Sequence, residues 1–167
     1  EGELFGEIAL LQPGRKRSAT IVALTPLSVL TLNASDFRSI LGKHPESEKI
    51  LRDSSEQLLV TNFLKALGPF HSLKPEHLRL LAKKLIPVSV KKGESVIREG
   101  ERGNSCFLVR SGEVEVIRKE GGGKRQLSVL GPGSLFGEAA LLTESPRSAS
   151  VRALKDSDLL ELKRADF

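Results

Sequence analysis

Leu135-Phe136-Gly137-Glu138-Ala139-Ala140-Leu141-Leu142 repeats, with one substitution, an earlier stretch, Leu4-Phe5-Gly6-Glu7-Ile8-Ala9-Leu10-Leu11. After a short loop each copy meets an arginine and a run of small residues, Arg147-Ser148-Ala149-Ser150 and Arg17-Ser18-Ala19-Thr20. The likeness extends outward. Ala23-Leu24 matches Ala153-Leu154, Leu30 and Leu32 match Leu160 and Leu162, and Asp36-Phe37 matches Asp166-Phe167. The offset is 131 before the loop and 130 after it, so the loop at residues 12–16 is one residue longer than that at 143–146. A single length change in a surface loop between matched flanks is the mark of a duplicated unit. A period of this size is a whole small domain rather than a solenoid repeat. The expectation is a chain that holds the last part of one copy and most of the next, an excerpt of a longer protein. The boundaries expected are residues 1–60, the end of a first domain with a linker helix, and residues 61–167, a nearly complete second domain.

The periodicity around the motif predicts a mainly β fold with flanking helices. Ile86, Val88 and Val90 alternate, and Cys106-Phe107-Leu108-Val109 is a near-continuous apolar strand. Val114-Glu115-Val116 and the segment from Gln126 to Leu130 follow glycine turns. Short strands about ten residues apart with such turns predict an antiparallel sandwich or jelly roll. In the first part, residues 18–23 and 27–32 read as strands, with residues 4–11 a strand end turning into a short helix. Asn33-Ala34-Ser35-Asp36 supplies helix-start chemistry, and Pro45 opens a helical run to about Leu67 with an expected break near Thr61-Asn62. Leu78, Leu81, Ala82 and Leu85 form one apolar stripe on a helix beginning at Pro75.

The motif has its own physics. Gly137 adopts backbone conformations closed to other residues and admits close approach. The short helix after it presents unpaired amides and a positive dipole end, which favour a phosphate. Arg147 brings a forked cation to the same anion. Glu138 beside an anion makes sense when it accepts hydrogen bonds from a neighbouring hydroxyl, such as the 2′-OH of a ribose. Anion and sugar hydroxyl together point to a nucleotide.

Phe-Gly-Glu-x-Ala-Leu followed by Arg-Ser-Ala-Ser/Thr resembles the phosphate-binding cassette of the cyclic-nucleotide-binding domain family, the catabolite activator protein and protein kinase A regulatory subunit type. The resemblance covers essentially the whole chain. It implies an antiparallel β-roll, a double-stranded β-helix of jelly-roll kind, with residues 70–85 as entry helices and Phe167 at the start of the helix that follows the roll. It further implies that Glu7 and Glu138 contact the ribose 2′-OH, and that Arg17 and Arg147 neutralise a cyclic phosphate. The amides around Ile8-Ala9 and Ala139-Ala140, with Gly6 and Gly137, complete the cradle. Ser18 and Ser148 add a hydroxyl to the phosphate or reach the base. Site two keeps the family's proline before the arginine as Pro146, where site one has Lys16. Serine after the arginine favours cAMP, although a hydroxyl there also suits cGMP.

Composition narrows the alternatives. Net charge is +5 with a pI near 9.5, yet basic and acidic residues interleave, as in Arg98-Glu99 and Lys119-Glu120, and describe a solvated surface rather than a nucleic-acid stripe. The single cysteine, Cys106, reads as a small buried hydrophobe, and a lone thiol fits a reducing compartment. No apolar run is long enough to span a membrane, and no signal peptide is visible. His44, His71 and His77 lack ligand spacing, so no metal is expected. No catalytic set is visible, and Gly121-Gly122-Gly123 reads as a hairpin rather than a phosphate loop. The reading is a cytoplasmic regulatory module, not an enzyme, with no cofactor. It takes cAMP or cGMP as ligand and an effector outside the chain as partner. The alternatives are a transcription factor of the catabolite activator type and a ligand-free interaction module. Site one should be incomplete, with Leu4, Phe5, Leu10, Leu11, Ile21, Val22, Leu30 and Leu32 partly uncovered. Site two should hold most of its pocket while lacking a helix over the base.

Overall fold

Glycine punctuation and alternating apolar residues after Leu85 build two antiparallel sheets in the computed structural model, which describes residues 4–11, 17, 20–143 and 145–166. The chain divides into two compact units, Glu1–Asn62 and Phe63–Phe167.

In the first unit the short helix α1 (Ile8–Leu11) follows the glycine of the first motif. Helix α2 (Ala34–Lys43) starts where Asn33 caps it: the side-chain oxygen accepts the Asp36 amide at 2.9 Å. Such a cap is worth about 1 kcal/mol. One face of α2 carries Phe37 and Leu41, a turn apart, and both are buried with Leu11. Helix α3 (Pro45–Lys65) continues past the end of this unit at Asn62, without the break expected near Thr61-Asn62. The Thr61 hydroxyl donates to the Gln57 carbonyl inside the helix, and Val60 and Leu64, one turn apart, are fully buried. Burial holds a helix through a residue of modest propensity.

The strands expected at 18–23 and 27–32 are not formed across the described residues 20–33, where the backbone enters no ladder. Nor do Leu4 and Phe5 belong to a strand. A strand is a paired object, and β-branched residues without a pairing neighbour have no ladder to join. The side chains lie open, with Val22 at 71%, Leu24 at 95% and Leu30 at 104% of full exposure. Leu4, Phe5, Ile21 and Leu32 are exposed as expected, whereas Leu11 is not: Phe37 and Leu41 bury it to 3%.

In the second unit helix α4 (Pro75–Lys84) precedes strands β1 (Ile86–Val90), β2 (Ser95–Ile97), β3 (Ser105–Ser111), β4 (Val114–Glu120) and β5 (Gly123–Leu130). Then come β6 (Leu135–Phe136), helix α5 (Ala139–Thr143), β7 (Ser150–Ala153) and β8 (Ser157–Lys163). A 3-10 turn, Arg164–Asp166, ends the described chain, and another, Gly68–Phe70, lies before α4. The sheet orders are β1-β8-β3-β6 and β2-β7-β4-β5, all antiparallel neighbours. Inward residues of both sheets, Ile97, Phe107, Val109, Val114, Phe136, Val151 and Leu159, form one core. Phe107 and Phe136 stack with ring centroids 5.4 Å apart. Strand β3 is buried on both faces, which is why its sequence is an unbroken apolar run. The pairing Phe107↔Phe136 places the end of β6, and so Gly137, beside the middle of β3, where α5 packs.

Candidate functional site

Gly137 leaves β6 with φ +81°, a left-handed conformation that glycine adopts without penalty. A Cβ there would lie 2.7 Å from Arg147 Nη1 and 2.9 Å from Ile97 Cδ1. The turn aims the chain into α5, and the Glu138 carbonyl accepts the amides of Leu141 at 2.9 Å and Leu142 at 3.1 Å. The amides of Ala139 and Ala140 stand at the helix start, where a helix supplies no internal acceptor.

Arg147 is fixed at both ends. Its amide donates to the Glu101 carbonyl and its carbonyl accepts the Gly100 amide, each at 2.8 Å. Its guanidinium donates through Nη1 to the Gly137 carbonyl at 2.7 Å and through Nη2 to the Ser105 carbonyl at 2.6 Å. The residue is only 8% exposed. Both of its side-chain partners among the described residues are carbonyl oxygens, not carboxylates. Burial, with Arg164 nearby, pulls this guanidinium below its ordinary pKa. An arginine keeps its proton regardless, so the charge stays and calls for an anion.

The cleft that Arg147 lines has a volume of about 300 Å³, within the range of small-molecule sites. Glu138, Ala139, Ala140, Arg147 and Ser148 line it together with Ile97, Val116, Leu130, Leu135 and Val151. Charged and hydrogen-bonding groups thus share one cavity with an apolar wall, which suits a ligand with an anionic group and a flat apolar body. Among the described residues no group of three or more His, Cys, Asp and Glu is placed to hold a metal ion. Cys106 lies beneath, 1% exposed on β3, and burial pushes its thiol up.

The first motif repeats the local geometry. Gly6 has φ +85°, Arg17 Nη1 donates to the Gly6 carbonyl at 2.9 Å, and the Glu7 carbonyl accepts Leu10 and Leu11 amides, both at 2.9 Å. A Cβ on Gly6 would collide with Arg17 Nη1. Ile8 and Ala9 begin α1 as Ala139 and Ala140 begin α5. Arg17, unlike Arg147, is exposed. A second cleft, of about 270 Å³, adjoins α1 and α3, but neither Glu7 nor Arg17 lies on its wall. Ser18, the loop at 12–16 and Phe167 lie outside the described residues.

Three residues near the second site carried no signal in the motif. Ser105 supplies a carbonyl to Arg147, Gly103 has no room for a Cβ beside it, and Arg164 holds the far end of α5. Ser105 acts through a backbone carbonyl, which any residue type provides, while Gly103 acts by lacking a Cβ and Arg164 through its guanidinium; none of the three lies within the motif, so only the folded chain brings them to it.

An antiparallel β-roll whose glycine turn, short helix and buried arginine enclose one cleft defines a class of ligand-binding module. Residues 1–44 and 87–167 match the model of the cyclic nucleotide-binding domain, and the chain belongs to that family. It is 32% identical over 171 residues to the cAMP-dependent protein kinase regulatory subunit of Dictyostelium discoideum, a match that covers all of this chain and 50% of that protein. To the cyclic AMP receptor protein of Thermus thermophilus it is 41% identical over 109 residues, 62% of this chain and 49% of that protein. Among solved structures, the regulatory domain of Toxoplasma gondii PKA crystallised with cAMP superposes with a TM-score of 0.62 at 32% identity, over 66% of this chain and 42% of that one. The chain spans half or less of the length of these relatives. No helix among the described residues is long and apolar enough to cross a membrane.

Proposed function

We propose that the chain is a cAMP-binding regulatory module whose competent site is the cleft around Gly137, Glu138, Ala139, Ala140, Arg147 and Ser148. The observation that carries this reading is the buried Arg147 guanidinium, held by two carbonyls in a nucleotide-sized cleft. A cyclic phosphate would supply the anion, with the Ala139 and Ala140 amides on its other side. Glu138 would accept the ribose 2′-OH, Ser148 would sit by the phosphate or base, and Val116 and Leu130 would face the purine.

Gly6, Glu7, Ile8, Ala9, Arg17 and Ser18 are then the same cassette of a first domain. Residues 1–60 are its C-terminal part with the linker helix, and residues 61–167 the second domain. The matched offsets and the shared glycine–arginine hydrogen bond support this assignment. Ligand binding orders the short helix and moves the helices after the roll, which carries the signal to an effector in a cytoplasmic protein. A ligand shifts such an equilibrium only through its different affinity for the two states. A kinase catalytic subunit is the effector that the names of the relatives favour. The likeness to a cyclic AMP receptor protein favours a second reading, a ligand-controlled transcription factor. Competition titration of labelled cAMP with cAMP and cGMP tests the ligand: cAMP should compete at least as well as cGMP, and a tenfold advantage for cGMP would reverse the choice of base.

A further inference from the structure

Two arginines, one of them the cleft residue Arg147, converge on one stretch of backbone. Three consecutive carbonyls, Gly103, Asn104 and Ser105, accept in turn from the Arg164 side chain at 3.1 Å, the Arg164 amide at 2.7 Å and the Arg147 side chain at 2.6 Å. The Arg164 guanidinium also donates to the carbonyls of Ala140 at 2.7 Å and Leu141 at 3.2 Å, toward the C-terminal end of α5. We infer that Arg164 is a positioning residue for the cleft: it clamps α5 to the 103–105 segment and so sets the distance between the helix amides and the Arg147 guanidinium.

The helix cannot hold that distance by itself. It has five residues, and a helix that short is unstable without outside contacts. The fit around it is close. A Cβ on Gly103 would stand 2.5 Å from Arg147 Nε and 2.8 Å from the Ala140 Cβ, so segment, helix and guanidinium pack too closely to admit one added methyl. A cation at the carbonyl end of the helix also matches its dipole. The first unit makes the same kind of contact by another route. There the Leu11 carbonyl, at the end of α1, accepts from Arg52 Nη1 of α3 at 2.6 Å. The repeat offset puts Ala34, not an arginine, opposite Arg164. The carbonyl end of the cassette helix is therefore held by an arginine in each unit, from non-equivalent positions. Because Arg164 follows β8 directly, the clamp ties α5 to the chain that leaves the roll.

This inference rests on the cAMP reading of the cleft, and its test separates the two. Arg164→Ala, Arg164→Gln and Arg164→Lys are compared with wild type in the intact protein. The readouts are stopped-flow cAMP kinetics and amide hydrogen exchange without ligand. In Arg164→Ala the cAMP dissociation rate should rise roughly three- to tenfold, with the association rate within about twofold. The Leu141 and Leu142 amides should exchange faster while those of β4 and β7 do not. Lysine, which keeps the charge and can reach a carbonyl, should lie nearer wild type than glutamine in both readouts. An unchanged dissociation rate in a folded Arg164→Ala chain would overturn the inference, as would exchange that accelerates equally in α5, β4 and β7. If the alanine variant does not fold, equal dissociation rates for the lysine and glutamine variants would overturn it. Failure of the wild-type protein to bind cAMP would sink the reading of the cleft instead, and the exchange at Leu141 and Leu142 would still decide the clamp.

Discussion

Replacing Arg147 by alanine separates binding from folding in this cleft. The guanidinium is buried, and its hydrogen bonds go to carbonyl oxygens rather than to a carboxylate. A bound phosphate would receive charge-assisted hydrogen bonds from the same fork, each worth about 1.5–3 kcal/mol. At about 1.4 kcal/mol per decade, loss of one such bond weakens binding roughly 10- to 150-fold. The effect on the ligand-free fold runs the other way in part. Alanine leaves the Gly137 and Ser105 carbonyls without their donor, at a cost of about 1–3 kcal/mol if they stay dry. It also removes a cation from a low-dielectric site, which is favourable. Water entering the vacated cleft can serve both carbonyls, so the net change in unfolding free energy should stay within about 1 kcal/mol. Titration calorimetry at fixed salt reads the affinity, and urea denaturation reads the stability. Arg147→Lys should fall between wild type and alanine, because it keeps the charge without the fork. An alanine variant that folds and binds cAMP with wild-type affinity would refute the assignment of Arg147 to the phosphate.

Glu138→Gln should weaken cAMP more than 2′-deoxy-cAMP, because the carboxylate's partner would be the hydroxyl that the analogue lacks; equal losses in calorimetry would free Glu138 from that role. Gly137→Ala should destabilise the fold by about 1–3 kcal/mol, combining left-handed strain with displacement of Arg147, and should also weaken cAMP. Gly93→Ala is the matched comparison, since Gly93 has φ +89° and open space where an added Cβ would sit. It should show the backbone cost alone, and denaturation curves in which the two variants lose equal stability would contradict the close contact at Gly137.

The parts legible in sequence are those that depend on neighbours a few residues apart. Asn33 announces α2, Pro75 opens α4, and the alternation at Ile86, Val88 and Val90 marks β1. The cassette belongs to this group. A left-handed glycine, a short helix and an arginine ten or eleven residues on close into one hydrogen bond, and the structure forms that bond at both copies. The break expected at Thr61-Asn62 failed for the converse reason: local propensity is weak, and burial of Val60 and Leu64 outweighs it.

What local sequence determined is therefore the chemistry of the motif: which residues turn, which donate, and which stay charged. Tertiary structure decided whether that chemistry becomes a site. Residues 20–33 carry strand-like side chains, but a ladder needs a second strand, and none pairs with them among the described residues. Arg17 and Arg147 occupy the same local geometry, yet only Arg147 is buried, because β3 brings the Ser105 carbonyl from 42 residues away. The clamp at Arg164 reaches back 61 residues to Gly103. Contacts of that separation arise from sheet register and packing, which place backbone carbonyls without regard to residue type, and so they leave no trace in the local sequence.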